Sequence, residues 1–175
     1  MRSALPVGSR APSVTLLDGE GKTVSLGELL ASGRTLLYFY PRAHTPGCTR
    51  QACNLRDHGK ELAPWGVRII GVSGDPLGRL ASFRQRHNLP FLLLSDRSGE
   101  AARAFGLPVF FGYVKRASFF LEDGVVAWRD LHPRVGLHAQ DLLRMLEARR
   151  RMPLLAEEES PLGGEPQDPD PCSGP

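Results

Sequence analysis

Residues 36–57 read LLYFYPRAHTPGCTRQACNLRD. The first five, Leu36 to Tyr40, form a continuous apolar run rich in aromatics, the pattern of a strand buried on both faces. PRAHTPG then breaks the run, and a helix is predicted from Pro46. Proline suits the first helical position, where its missing N–H would have had no partner anyway, and Thr45 just before it is a good N-cap. Cys48 therefore falls in the first turn of a helix that leaves a core strand. Unpaired backbone N–H groups and the positive end of the helix dipole gather there, a setting that favours a thiolate over a thiol. A thiolate at a strand–turn–helix junction is placed for attack on an electrophile.

The elements on either side give the fold class. Val14–Leu17 and Thr23–Leu26 flank Asp18-Gly19-Glu20-Gly21 as an N-terminal hairpin. Val67–Ser73 and Phe91–Leu94 are further apolar strands, and Pro76–His87 between them carries Leu77, Leu80 and Phe83 at helical spacing. A short helix is expected over Gly99–Phe105. Lys115–Leu121 and Val125–Leu131 make a second hairpin about Asp123-Gly124, and Asp141–Met152 an amphipathic helix with Leu142, Leu143 and Leu146 inward. Apolar strands alternating with helices imply a central mixed sheet covered on both faces, an α/β domain of thioredoxin-like order over residues 1–152. Residues 153–175 hold six Pro, three Gly and six acidic residues with no Lys or Arg. Such a segment does not bury enough apolar surface to offset its ordering entropy, and a disordered tail is expected from about Leu155.

The active-site sequence resembles that of the peroxiredoxins. PRAHTPGC matches their P-x-x-x-T-x-x-C pattern, and TPGCTRQAC is similar to the bacterioferritin-comigratory, or peroxiredoxin Q, branch. Lys115-Arg116-Ala117-Ser118-Phe119 resembles the strand that supplies that family's arginine. The likeness spans about residues 5–150. It implies a thiol-dependent peroxidase that reduces hydrogen peroxide and organic hydroperoxides without metal or bound cofactor. Cys48 would be the peroxidatic nucleophile, Cys53 the resolving thiol, Thr45 and Arg116 the polar groups about the sulfur, and Pro41 the cover of the pocket. A Cys48–Cys53 disulfide would be recycled by thioredoxin or a similar dithiol donor.

Ionisation alone does not make such a peroxidase. An unperturbed thiol is already about 3% thiolate at pH 7, so complete ionisation gains only about 30-fold. Further acceleration has to come from holding the peroxide in line and from groups aimed at the charge developing across the O–O bond. Thr45 Oγ, the Cys48 N–H and Arg116 are the available donors. Lys115 and Arg116 face opposite sides of an alternating strand, so only one reaches Cys48; the matched pattern selects Arg116, whose planar fork suits two oxygens.

Cys53 is also open to a plainer reading as a core cysteine. At i and i+5 on a helix, two residues lie about 140° apart around the axis and roughly 8.5 Å apart at Cα, beyond the ~7 Å that a disulfide spans. A resolving Cys53 thus requires the helix to unwind. His44 is expected to be an exposed turn residue, although a Cys–His pair is conceivable. Gln51 stands where many relatives have Glu. Val109, Phe110, Phe111 and Tyr113 either belong to the core or line an apolar approach to Cys48. Cys172 in the tail is expected to be an idle thiol within reach of the site.

Other function classes weigh less. Three cysteines, two of them five apart, argue for thiol chemistry in a reducing, cytoplasmic setting over a disulfide framework. No apolar run is long enough to span a membrane, and the N-terminus lacks the apolar stretch of a signal peptide. The chain carries +3, but the 22 basic and 13 acidic residues before Pro153 give the body +9. Those basic residues are scattered without a nucleic-acid-binding motif, so no nucleic-acid partner is expected. A thiol–disulfide oxidoreductase on the same fold would carry C-x-x-C, where this chain has C-x4-C. A monomer or weak dimer is expected.

Overall fold

A computed structural model describes residues 3–158. Its frame is a seven-stranded mixed sheet in the order β2-β1-β5-β4-β3-β8-β9. The strands are β1 (Thr15–Asp18), β2 (Thr23–Ser25), β3 (Arg34–Phe39), β4 (Val67–Ser73), β5 (Leu92–Ser95), β8 (Ala117–Glu122) and β9 (Val125–Asp130). β3, β4 and β5 run parallel, and β8 pairs antiparallel with β3. A separate two-stranded ribbon, β6 (Val109–Phe110) and β7 (Tyr113–Val114), precedes β8.

Alternation along β3 sorts the core into two layers. Leu37 and Phe39 join Ile70, Val72, Phe119 and Leu121 on one face, covered by α1 (Leu26–Leu30) and α5 (Glu100–Ala104). Leu36, Tyr38 and Tyr40 join Leu93 and Phe120 on the other. That face is covered by α2 (Pro46–Asp57), α3 (Gly59–Leu62), α4 (Leu77–Arg86) and α6 (His138–Glu158). Each fully buried Leu or Phe contributes about 1.5–3 kcal/mol, so both layers are substantial. Gly71 on β4 makes room for the Tyr38 ring: a Cβ there would come within 3.0 Å of Tyr38 and 2.8 Å of Leu93.

The expected thioredoxin-like arrangement is present, with three differences in detail. β8 begins at Ala117, so Lys115 and Arg116 lead into the strand without belonging to it. The stretch from Val109 to Tyr113 forms the β6–β7 ribbon, with Phe110, Phe111 and Tyr113 exposed at 67%, 100% and 43%; Val109 packs against the core, and Phe111 and Tyr113 border the groove that Pro41 lines. The last helix starts at His138 and continues to Glu158, past the end expected at Met152. The helix, anchored by Leu142 and Leu146, runs through Pro153, which gives up its i→i−4 bond at a cost of about 3 kcal/mol, while 154–158 are good helix formers. The remainder of the expected disordered tail, with Cys172, lies outside the described residues.

Candidate active site

The loop 40–45 joins β3 to α2, and side chains that follow β4 fix its shape. Because β3 and β4 are parallel, their C-terminal ends lie side by side. Asp75, 5% exposed, accepts hydrogen bonds from the Ala43 N–H (2.7 Å) and the Ser73 hydroxyl (2.8 Å). Arg79, ion-paired with Asp75 at 3.2 Å, donates to the Ala43 carbonyl from Nε (3.2 Å) and Nη2 (2.8 Å). Both backbone groups of Ala43 are thus held by side chains. The next residue, His44, is forced to a left-handed φ of 63°, a conformation that costs a non-glycine residue about 1 kcal/mol. His44 is half-buried, its ring edge-on to Phe83 at 5.2 Å, and is not the exposed turn residue expected.

Thr45 takes the N-cap position of α2, but its side chain makes no cap bond. Its hydroxyl instead donates to the Arg42 carbonyl at 2.8 Å. The proton is therefore committed to the backbone, and the oxygen offers a ligand lone pairs in place of the expected donor. With Pro46 lacking an N–H and the side-chain cap absent, the N–H groups of the first turn, Cys48 among them, stay available to an incoming oxygen.

Cys48 is 1% exposed, packed with Tyr38, Tyr40 and Ala52 on the α2 side of the sheet. Arg116 Nη2 donates to Cys48 Sγ at 3.2 Å, and Nη1 of the same guanidinium donates to Gln51 Oε1. Gln51, one turn after Cys48, is fully buried and reaches on through Nε2 to His138 Nδ1 at 3.0 Å. His138 Nε2 lies 2.8 Å from the Ser118 hydroxyl. Burial pushes the His138 pKa down to about 4, with nearby Arg116 lowering it further and Asp141 opposing, so the ring is neutral at physiological pH. Tyr38 packs edge-on to His138 at 5.9 Å and stacks on Tyr40 at 5.3 Å. Burial, chiefly, raises the pKa of both phenols, which stay protonated.

The structure thus brings Cys48 and Arg116 into direct contact, with Thr45 on the loop entering the same helix. Pro41 lines an open groove of about 370 Å³ with Arg42, Gly74, Asp75, Phe111 and Tyr113; Cys48 is not among its walls. Cys53 is half-buried and free, on the same unbroken helix as Cys48. Just beyond it, Asn54 ties α2 to the start of α6: its Oδ1 accepts from Ala139 N at 2.8 Å, and its Nδ2 donates to Gly136 O (3.1 Å) and Gln140 Oε1 (3.0 Å). His138, Asp75 and Arg79 were not singled out in the sequence. A signal existed for the first two: His138 lies four before Leu142 and eight before Leu146 on the inward face of α6, and Asp75 follows a parallel strand at its functional C-terminal end.

The AhpC/TSA family model matches residues 7–129. The putative peroxiredoxin bcp of Coxiella burnetii is 39% identical over 132 residues, covering 71% of this chain and 87% of that one. The chloroplastic peroxiredoxin Q of Oryza sativa subsp. japonica is 40% identical over 125 residues, 69% of this chain and 57% of that longer one. Among solved structures, peroxidoxin BcpB of Mycobacterium tuberculosis superposes with a TM-score of 0.75 at 34% identity, over 82% of this chain and 97% of that one. With a cysteine at the start of α2 under an arginine from the β8 approach, the chain belongs to the AhpC/TSA family, alongside peroxiredoxins of the bcp and Q type, and is a thiol-dependent peroxidase.

Proposed function

We propose that Cys48 is the peroxidatic cysteine and Cys53 its resolving partner. The observation that carries this reading is the 3.2 Å contact of Arg116 Nη2 with Cys48 Sγ, a fixed cation beside one sulfur. The Cys48 thiolate attacks the distal oxygen of the peroxide and breaks the O–O bond, giving a sulfenic acid; the leaving oxygen takes a proton and departs as water or an alcohol. Arg116 and the Cys48 N–H stabilise charge on the oxygens as the bond breaks. Thr45 Oγ accepts a hydrogen bond from the peroxide's O–H and so orients it, and Pro41 holds the loop on the side of the open groove. The Cys53 thiolate then attacks the sulfenic sulfur, releasing water and leaving a disulfide that thioredoxin or a similar dithiol reduces.

The same reading takes residues 1–152 as the catalytic unit and the acidic remainder as dispensable to it. The protein is placed in the cytoplasm as a monomer or weak dimer, without nucleic-acid or membrane partners. Among the described residues no helix is long and apolar enough to cross a membrane.

Thr45→Val should slow Cys48 oxidation by at least about tenfold, roughly the worth of one hydrogen bond. Stopped-flow peroxide consumption measures it, and a wild-type rate would remove Thr45 from the site. For the resolving step, one equivalent of peroxide should give an intramolecular Cys48–Cys53 bond by mass spectrometry, and Cys53→Ser should stop at the sulfenic acid. In the disulfide form, amides of residues 49–56, whose i→i−4 bonds begin or end in the unwound stretch, should lose exchange protection, while that of His58, bonded to the Asn54 carbonyl, keeps its own because Asn54 stays tied to α6. Unchanged protection at 49–56 in a confirmed disulfide would refute the unwinding.

A further inference from the structure

A guanidinium has donors and no acceptor. That property of Arg116 propagates through the buried chain behind it. The Gln51 atom that faces Arg116 Nη1 has to be the acceptor, Oε1. The Gln51 amide nitrogen, a pure donor, therefore faces His138 Nδ1 at 3.0 Å. Nδ1 accepts, so it is the unprotonated ring nitrogen. The ring proton sits on Nε2 and is donated to Ser118 Oγ at 2.8 Å. Gln51, Ser118 and His138 are each 0% exposed, so solvent offers these atoms no alternative partner.

We propose that His138, as its Nε2–H tautomer, is a positioning residue of the peroxidase site: it orients the Gln51 amide and through it aims Arg116 at Cys48. A glutamine amide has two orientations that differ by a half-turn. With Oε1 outward the fork of Arg116 is met by an acceptor. With Nε2 outward, donor faces donor, and the guanidinium turns away from Gln51 and from the sulfur it shares. Arg116 favours the first, and an acceptor behind the amide holds it there whether or not the guanidinium is in place. The neutral ring supplies that acceptor, and Ser118 fixes which ring nitrogen is bare. Burial keeps the ring neutral above about pH 4, so the acceptor persists through the physiological range. The groups that face the ring are Gln51 of α2, Ser118 of β8 and Tyr38 of β3, with Asp141 of α6 and Arg116 as the charges acting on it.

The proposal rests on Arg116 being the active-site cation, and its test separates the two. In the wild-type protein, long-range nitrogen–proton correlation on ¹⁵N-histidine should show His138 as Nε2–H at neutral pH; an Nδ1–H tautomer would overturn the proposal without touching Arg116. His138→Asn places an amide oxygen where Nδ1 was, and His138→Gln places its amide near Nε2. Provided both melt as cooperatively as wild type, the Gln variant should lose about 10- to 100-fold in the rate of Cys48 oxidation by hydrogen peroxide, as expected for a misplaced catalytic group. The Asn variant should recover most of that. Equal losses in the two would mean that the ring only fills space. In an Arg116→Ala background the difference between Asn and Gln should vanish, and its persistence would also overturn the proposal. A fully active Arg116→Ala would instead remove the cation on which the proposal stands.

Discussion

Cys48→Ser is expected to abolish peroxide turnover, with a loss on the order of 10⁴-fold or more, the scale seen when an attacking nucleophile is removed. A serine hydroxyl is not ionised at neutral pH and is a far weaker nucleophile than a thiol, so Arg116 would face an unreactive oxygen in place of the sulfur. No other described cysteine takes over. Cys53 lies further along α2, and the sulfur that Arg116 contacts is that of Cys48. The Cys53 thiol would remain open to alkylation, which shows that it is reduced, and an unchanged melting temperature would show that the variant is folded. Stopped-flow consumption of hydrogen peroxide by wild type and variant decides it. Substantial turnover by Cys48→Ser would mean that the reacting sulfur is a different one.

Arg116→Ala should cost about 10²- to 10³-fold in the rate of Cys48 oxidation, the range for losing one donor aimed at developing charge. The substitution acts twice. It removes the cation from the sulfur, and it leaves Gln51 Oε1 buried without its donor. An unmet buried acceptor costs about 1–3 kcal/mol, so the melting temperature should fall together with the rate. Arg116→Lys restores the charge but not a planar fork that reaches Cys48 and Gln51 at once, and should recover only part of the rate. Full recovery with Lys would show that charge alone is used. A wild-type rate in Arg116→Ala would show that the contact with the sulfur is idle.

The parts of this site that could be read from the sequence are those written locally. Strand, proline-led helix and Cys48 lie within a dozen residues, so dipole and capping rules apply directly. Alternation allowed only one of Lys115 and Arg116 to reach Cys48, and the resemblance chose Arg116, although β8 starts just beyond it. The hidden parts depend on pairings across long separations. His138 meets Gln51 across 87 positions and Ala43 meets Asp75 across 32; a local period can turn His138 inward but does not say which residue it meets. Thr45 shows a different limit. Residue type predicted a cap and a donor; the cap bond is not made, and the hydroxyl's one proton goes to the Arg42 carbonyl. The β6–β7 ribbon was missed because four large apolar residues within five positions look like core, whereas a two-residue strand pair about a left-handed Phe111 turns three of them to solvent.

The ties at Ala43 and Asn54 settle which sulfur travels. They act as two fixed posts with a leash of chain between them. Cys53 is next to its post, so its freedom is about one residue's length, roughly 3.5 Å. Cys48 stands five residues from Ala43 and, once the helix has unwound, commands a radius of up to roughly 17 Å on that side. On the proposed cycle the nucleophile therefore leaves Arg116 and comes to its stationary partner. A reductant meets the disulfide at one constant spot beside α6, and the empty seat under Arg116 waits for the sulfur's return.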